Sequence, residues 1–311
     1  MLGFSRVARA NAEVRAEVER LRLAVGRMES RRVREATFQN VQQAEFQVFS
    51  QWGEDGIIQY LLGKVAIENT VFVEFGVQDY SESNTRFLLC NDNWAGLIID
   101  SGTDHQRFVQ ERNLAWKHTI DAISSFVTRE NINALIGGAG IRGDIGLLSI
   151  DIDGNDYWLM EAIEVISPRI VIVEYNSHFG PDHAITIPYS PSFDRRAAHD
   201  SMLYWGASLP AFCHLAKRKG YALVGSNSAG SNAFFVRTDV LGSLRALSPR
   251  EGFVMSRFRE SRDGKGRLSY VTSHSDRLRL ISQLPVLRIP DSETVRIGDL
   301  FGIASAGSRA P

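Results

Sequence analysis

The sequence predicts an α/β protein built on a doubly wound, mostly parallel sheet of Rossmann-like type. An antiparallel C-terminal hairpin and an N-terminal coiled-coil helix are expected to flank it. Three observations carry this. Short apolar runs such as VFVEFGV (71–77), that within GDIGLLSIDIDGND (143–156) and IVIVEYN (170–176) alternate with helix-like stretches, the pattern of strands buried on both faces. The N-terminal 45 residues contain no Pro and repeat apolar residues at alternating steps of three and four. The composition is that of a globular chain: 311 residues, 44% hydrophobic, 23% charged, with a net charge of -1. That balance excludes wholesale disorder and argues against a protein that coats nucleic acid.

The elements follow in order. In the first helix, Asn11, Val18 and Val25 occupy one core position of a heptad seam, and Val7, Val14, Leu21 and Met28 the other. An oligomerising coil is expected, the alternative being a single amphipathic helix lying on the protein's own body. Residues 52–65 read as a helix ahead of the sheet. Strand one is 71–77, followed by a helix at 83–89. Strand two is 94–102, strand three falls within 115–123, and a helix follows it. Strand four lies within 143–156, then a helix, then strand five at 170–176. Residues 177–205 hold three of the nine prolines and read as a long loop able to act as a lid. A helix at 207–220 ends on Gly220, and YALVGSNS with SNAFFVRTD forms the closing hairpin. The expected division is 1–44 coil, 45–245 main domain, and 246–311 an irregular Arg-rich extension.

In an open parallel sheet, ligands bind beyond the carboxyl ends of the strands, so those ends hold the candidate site. Strand one ends in Glu74, Gly76 and Asp79. The glycine allows close approach of the backbone, and the acid can receive a cationic amino group. Strand two ends in Asp100, placed to accept the two hydroxyls of a ribose. Strand four ends in Asp151 and Asp153, which alternate and so point to one side. Strand five ends in Glu174 and Asn176. The run Gly138-Ala139-Gly140-Ile141-Arg142-Gly143 matches a dinucleotide fingerprint, but it follows a helix and precedes a strand, the reverse of the required context. Cys90 and Cys213 lie in apolar runs and read as buried thiols, which makes the cytoplasm the expected compartment. No secretory signal or membrane span is read from the sequence.

VFVEFGVQDYSESNTRFLL, WAGLIIDSG, LLSIDIDGNDYWLMEAI and IVIVEYN, in this order and preceded by FSQWGEDGII, resemble the class I S-adenosylmethionine-dependent methyltransferases, and among them the FkbM-like group of polysaccharide and natural-product pathways. The resemblance spans roughly residues 45–240. It implies S-adenosylmethionine as cofactor and transfer of its methyl group to an acceptor oxygen. By resemblance, Glu74, Gly76 and Asp79 hold the methionine part and Asp100 the ribose, while Asp151 and Asp153 face the amino group and the acceptor. Where many members carry a second glycine, this sequence has Gln78-Asp79-Tyr80.

Asp151, Glu174 and Asn176 outline a hard-cation site for Mg²⁺, similar to that of catechol O-methyltransferase; the alternative is a hydrogen-bonded pocket without metal. His178 and His183 are candidate general bases at the loop entrance, with Asp151 as the other proton acceptor. The tail arginines (Arg257, Arg259, Arg262, Arg277 and Arg279, with Lys265 and Arg267) are either a solvated face or a clamp for a phosphate-bearing acceptor. The expected partners are a small-molecule or glycan acceptor and further copies of the chain through the N-terminal helix, with no nucleic acid. The competing reading is a non-catalytic cofactor-binding scaffold assembled by its coil.

Overall fold

A computed structural model describes residues 2–303. Helix α1 (Leu2–Glu35) and helix α2 (Glu54–Leu62) precede the sheet. Strands β1 (Val71–Phe75), β2 (Ala95–Asp100), β3 (Ile120–Ser124), β4 (Gly143–Ile150) and β5 (Ile166–Glu174) run parallel. Strand β6 (Ile185–Thr186) lies outside this sheet. The hairpin of β7 (Tyr221–Ser226) and β8 (Asn232–Arg237) adds to it antiparallel through β8. The order is β3-β2-β1-β4-β5-β8-β7, as the sequence predicts in class. Strand order reverses between β1 and β4, and that is where such sheets open a binding crevice.

Both faces of the sheet are covered, which explains the unbroken apolar strands. On one face Val73, Phe75, Ile99, Leu148 and Val171 pack against three helices: α6 (Ile132–Gly138), α7 (Asp156–Ala162) and α9 (Leu209–Arg218). On the other, Phe72, Ile98, Leu147 and Ile172 meet α2, α3 (Arg86–Asp92) and α4 (Asp104–Glu111). Sequence boundaries shift in several places, β5 among them, which runs Ile166–Glu174 rather than 170–176. Residues 114–117 form the short helix α5 (Leu114–Lys117) rather than the start of β3, α4 is an additional helix, and β4 stops at Ile150.

The segment FSQWGEDG is a structural knot. Asp55 accepts hydrogen bonds from the backbone N–H groups of Val48 (2.7 Å), Phe49 (2.7 Å) and Ser50 (2.8 Å). Glu54 accepts from the side-chain amides of Asn227 (2.6 Å) and Asn232 (3.0 Å), tying α2 to the β7–β8 hairpin.

Two boundaries between expected units are corrected. The C-terminal half of α1 belongs to the body: Gly26 lies so close to Val48 and Phe87 that a Cβ would stand 2.5 Å from the Val48 methyl. Ser30 also donates to Gln59 at 2.6 Å, and Val33 is fully buried. The tail is likewise not an irregular extension. Strands β9 (Pro285–Arg288) and β10 (Thr294–Arg296) join β6 in a second sheet, whose core combines Phe179, Ile185, Leu203, Leu278, Val286 and Ile297. Loop 177–205 and the tail are therefore two halves of one small subdomain, a pairing across about a hundred positions that local patterns do not reveal. Residues 304–311 of the expected extension lie outside the described residues.

Candidate active site

A cleft of about 800 Å³ opens at the carboxyl ends of β1, β2 and β4. Gly76, Gln78, Asp100, Asp151 and Asp153 line it, so five positions at three predicted strand ends converge. Gly76 sits at φ +76°, and a Cβ there would stand 1.5 Å from the Asp151 carbonyl oxygen. Only a glycine lets the ends of β1 and β4 come this close. After it, Gln78 and Tyr80 occupy the left-handed region at φ +49° and +65° without being glycine. Two contacts hold them there: the Gln78 N–H donates to Asp100 Oδ2 at 2.9 Å, and the Tyr80 ring is fully buried.

Asp100 is half-buried, and each carboxylate oxygen takes one backbone N–H, from Gln78 and from Gly102 (both 2.9 Å). A carboxylate has about four lone-pair sites. Two remain, on a residue that lines the cleft, for hydroxyl donors. Beside it Ile99, Phe126, Val127 and Ile152 give the cleft an apolar side.

Asp151 and Glu174 are half-buried at the ends of neighbouring strands, with Asp151 on the cleft. Burial drives both carboxyls well above the usual range. Next come the charges of Asp153 and Asp156 around Asp151, and of Asp151 around Glu174. Each carboxylate disfavours ionisation of the other. Glu174 Oε2 is buried with no partner among the described residues.

Several expectations are corrected by the side chains. Glu74 does not line the cleft: its carboxylate accepts from Ser83 Oγ (2.6 Å), Asn84 N (2.9 Å), Thr85 N (3.2 Å) and Thr85 Oγ1 (2.5 Å), anchoring the chain before α3. Asp79 is exposed and closes a turn onto Ser81 N at 2.8 Å. Asp153 follows the strand rather than continuing it. It lies in a turn at φ +56° and pairs with Arg195 on the rim of the cleft.

The Mg²⁺ trio is not assembled. The Asn176 amide donates to the carbonyls of Leu203 (3.1 Å) and Trp205 (3.0 Å) and accepts from His178 N (3.0 Å), so both its N–H donors and one oxygen lone pair are committed to the chain. No cluster of three or more His, Cys, Asp or Glu suited to a metal occurs among the described residues. His183 packs on Phe301 at 5.1 Å between ring centroids and does not line the cleft.

His178 is no base either. The Arg277 guanidinium donates to its Nε2 at 3.0 Å, and burial together with the charges of Arg277, His274 and Arg195 pushes its pKa down to about 3. The sign of the linkage follows. In the unfolded chain His178 titrates near 6.5, so its contribution to stability is complete above that pH. It falls away as the pH drops toward 3, because only the unfolded state takes the proton. Between pH 7 and pH 5 the loss is about 2 kcal/mol, at 1.36 kcal/mol per unit. His178→Gln is expected to remove this slope from urea unfolding midpoints measured at the two pH values; an unchanged slope would show that His178 is not its source.

The sequence reading missed the far wall. Arg195, in helix α8 (Arg195–Ala198), stacks over Trp205 at 4.9 Å and donates to Met202 O at 2.8 Å while pairing with Asp153 and Glu260. Glu260, Arg262 and Asp263 come from the tail. Asn155 presents a buried Oδ1 without a partner among the described residues, while its Nδ2 donates to Ser190 O at 2.8 Å. For Asn155 a signal existed in the run Asp153-Gly154-Asn155-Asp156; Arg195 and the tail residues arrive only through long-range packing.

No family model matches the sequence, and no curated protein matches it. Solved structures do resemble it at low identity. The N-terminal domain of EvdMO1 with SAH bound is 11% identical, with TM-score 0.38, covering 70% of this chain and 97% of that one. An O-methyltransferase family protein from Burkholderia thailandensis is 9% identical with TM-score 0.35, covering 78% of this chain and 60% of that one. TrmK of M. capricolum, in complex with S-adenosyl-homocysteine, is 11% identical with TM-score 0.32, covering 56% of this chain and 63% of that one. The matched region is thus less than two thirds of the latter two chains, and likeness of this degree carries no statement about chemistry.

Proposed function

We propose that the chain is an S-adenosylmethionine-dependent methyltransferase, of the FkbM-like kind, acting on an oxygen of a sugar, glycan or natural-product acceptor. The observation that carries this reading is Asp100: a carboxylate with two unused acceptor sites, at the end of β2, beside an apolar slot and across from Gly76. These residues suit the cofactor. Asp100 would take its ribose hydroxyls and Ile99, Phe126 and Val127 its base, with Gly76, Gln78 and Asn155 left for the amino-acid end. When bound, S-adenosylmethionine supplies a methyl group on a sulfonium leaving group.

The remaining tasks fall to the chain's own residues. A sugar hydroxyl holds its proton tightly, so a base must accept that proton as the acceptor oxygen attacks. Asp151, with Glu174 behind it, is the carboxyl on the cleft with raised basicity. Phe193, Arg195 and Met202 from the loop and Glu260 from the tail shield this floor from water. The rim is polar, as a hydroxyl-rich acceptor requires. A phosphate on the acceptor gains little support: Arg195 and Arg262 are already ion-paired, and acidic side chains outnumber arginines around the cleft.

Assembly through α1 into a homo-oligomer is part of the proposal, and the cytoplasm is the compartment that two free cysteines suit. No helix among the described residues is long and apolar enough to cross a membrane.

Calorimetric titration with S-adenosylhomocysteine tests the cofactor reading. Micromolar binding is expected, weakened in Asp100→Ala by about 1–3 kcal/mol, the loss of hydrogen bonds to a charged group. No binding to the intact protein would remove the methyltransferase reading. Binding without mass-detected methyl transfer to any of a panel of sugar nucleotides and glycan fragments would favour the scaffold.

A further inference from the structure

Helix α1 carries two stripes on opposite faces. One packs on the body: Glu19 pairs with Arg86 and Arg112, Gly26 touches Val48 and Phe87, Ser30 bonds Gln59, and Val33 is fully buried. The other holds Val7, Val14, Val18, Leu21, Val25 and Met28, each between 49% and 70% exposed. In heptad terms the exposed stripe takes positions a and d, with Asn11 also at a. The body takes b, c and f, which point outward in a two-stranded coil, and touches Arg22 at e through the Val48 carbonyl. The protein's own body therefore leaves the seam open along three heptads, long enough for a stable coil.

Resting on the proposed assembly through α1, we infer that the seam is covered by α1 of a second copy, parallel and in register, giving two subunits. Three features select this arrangement over others. In the heptads nearest the body, Val18 and Val25 at a with Leu21 and Met28 at d follow the two-stranded pattern, while Val7 and Val14 at d depart from it. Asn11 meets its own counterpart only when the helices are parallel and in register, and a polar residue at a is the usual device for fixing both. On the flanks, Glu17 at g of one copy faces Arg22 at e of the other, an attractive pair formed twice. Antiparallel helices would instead set e against e, bringing Arg15 toward Arg22. Arg22 donates one N–H to the Val48 carbonyl and keeps other donors for this contact.

The test uses the full chain, since α1 is part of the body. Light scattering should give two subunits for the wild type and one for Val18→Glu/Leu21→Glu. That variant should keep its circular dichroism and its S-adenosylhomocysteine affinity, because both side chains are exposed. Asn11→Cys should form a disulfide-linked dimer under mild oxidation, with the wild type as control for Cys90 and Cys213. A mixture of Asn11→Cys and Met28→Cys should give no linked heterodimer. A monomeric wild type would overturn assembly through α1 altogether. Three or more subunits, or linkage of position 11 to position 28, would overturn the parallel pair while leaving assembly standing. A dimer that survives Val18→Glu/Leu21→Glu would move the interface to another surface.

Discussion

Asp151→Asn is expected to lower methyl transfer by about 10²–10⁴-fold, the usual contribution of a positioned general base. The substitution keeps the volume of the floor and removes its capacity to take a proton. Affinity for S-adenosylhomocysteine should stay unchanged, since Asp100 and the apolar slot lie on the other side of Gly76. The pH dependence carries a second signature. Burial and neighbouring carboxylates raise the pKa of both Asp151 and Glu174, so the base is empty only at higher pH than an ordinary carboxylate requires. Wild-type turnover should therefore climb with rising pH from a foot shifted upward, and Asp151→Asn should lose that limb. Full turnover in Asp151→Asn would move the proton elsewhere. Loss of cofactor binding together with turnover would make Asp151 part of the cofactor pocket instead.

Gly76→Ala should destabilise the fold by about 2–5 kcal/mol. A left-handed backbone disfavours any L side chain by roughly 1–2 kcal/mol, and overpacking adds about 1–3 kcal/mol. Here the added methyl meets backbone, the carbonyl of Asp151 at 1.5 Å, so no side chain can swing aside. The strands must part at the point where the cleft is founded, and S-adenosylhomocysteine binding should fall as well. Gly138→Ala is the control. Its Cβ points into open space, so it should be neutral or slightly stabilising. Urea unfolding of both variants decides the matter, and a Gly76→Ala protein as stable as wild type would show that β1 and β4 are free to separate.

The sheet was legible because its information is local. Each of β1, β2, β4 and β5 is an apolar run in the sequence, and a parallel sheet places the ends of such runs on one edge. Asp100, Asp151, Asp153 and Gly76 could therefore be brought to one cleft from sequence alone. What could not be read is how each polar side chain distributes its hydrogen bonds. Glu74 and Asp100 look alike as strand-end acids. Yet Glu74 is saturated by four donors from residues 83–85, while Asp100, lining the cleft, keeps lone pairs unused. Asn176 and His178 failed as ligand and base for the same reason, each being committed to partners well away in the chain. The tail reads as irregular in sequence because its apolar residues pack only beside those of loop 177–205.

The cleft has two walls of different provenance. The wall carrying Gly76, Asp100 and Asp151 is cut from the central sheet, where a shift of any strand disturbs the registers of its neighbours. The opposite wall, with Arg195, Glu260, Arg262 and Asp263, comes from a loop and a tail that share their own small sheet and core. Substitutions in the second wall are expected to leave the strand registers of the first in place. On the proposed reading, such a division lets a lineage exchange the acceptor while inheriting intact the half that would hold the cofactor.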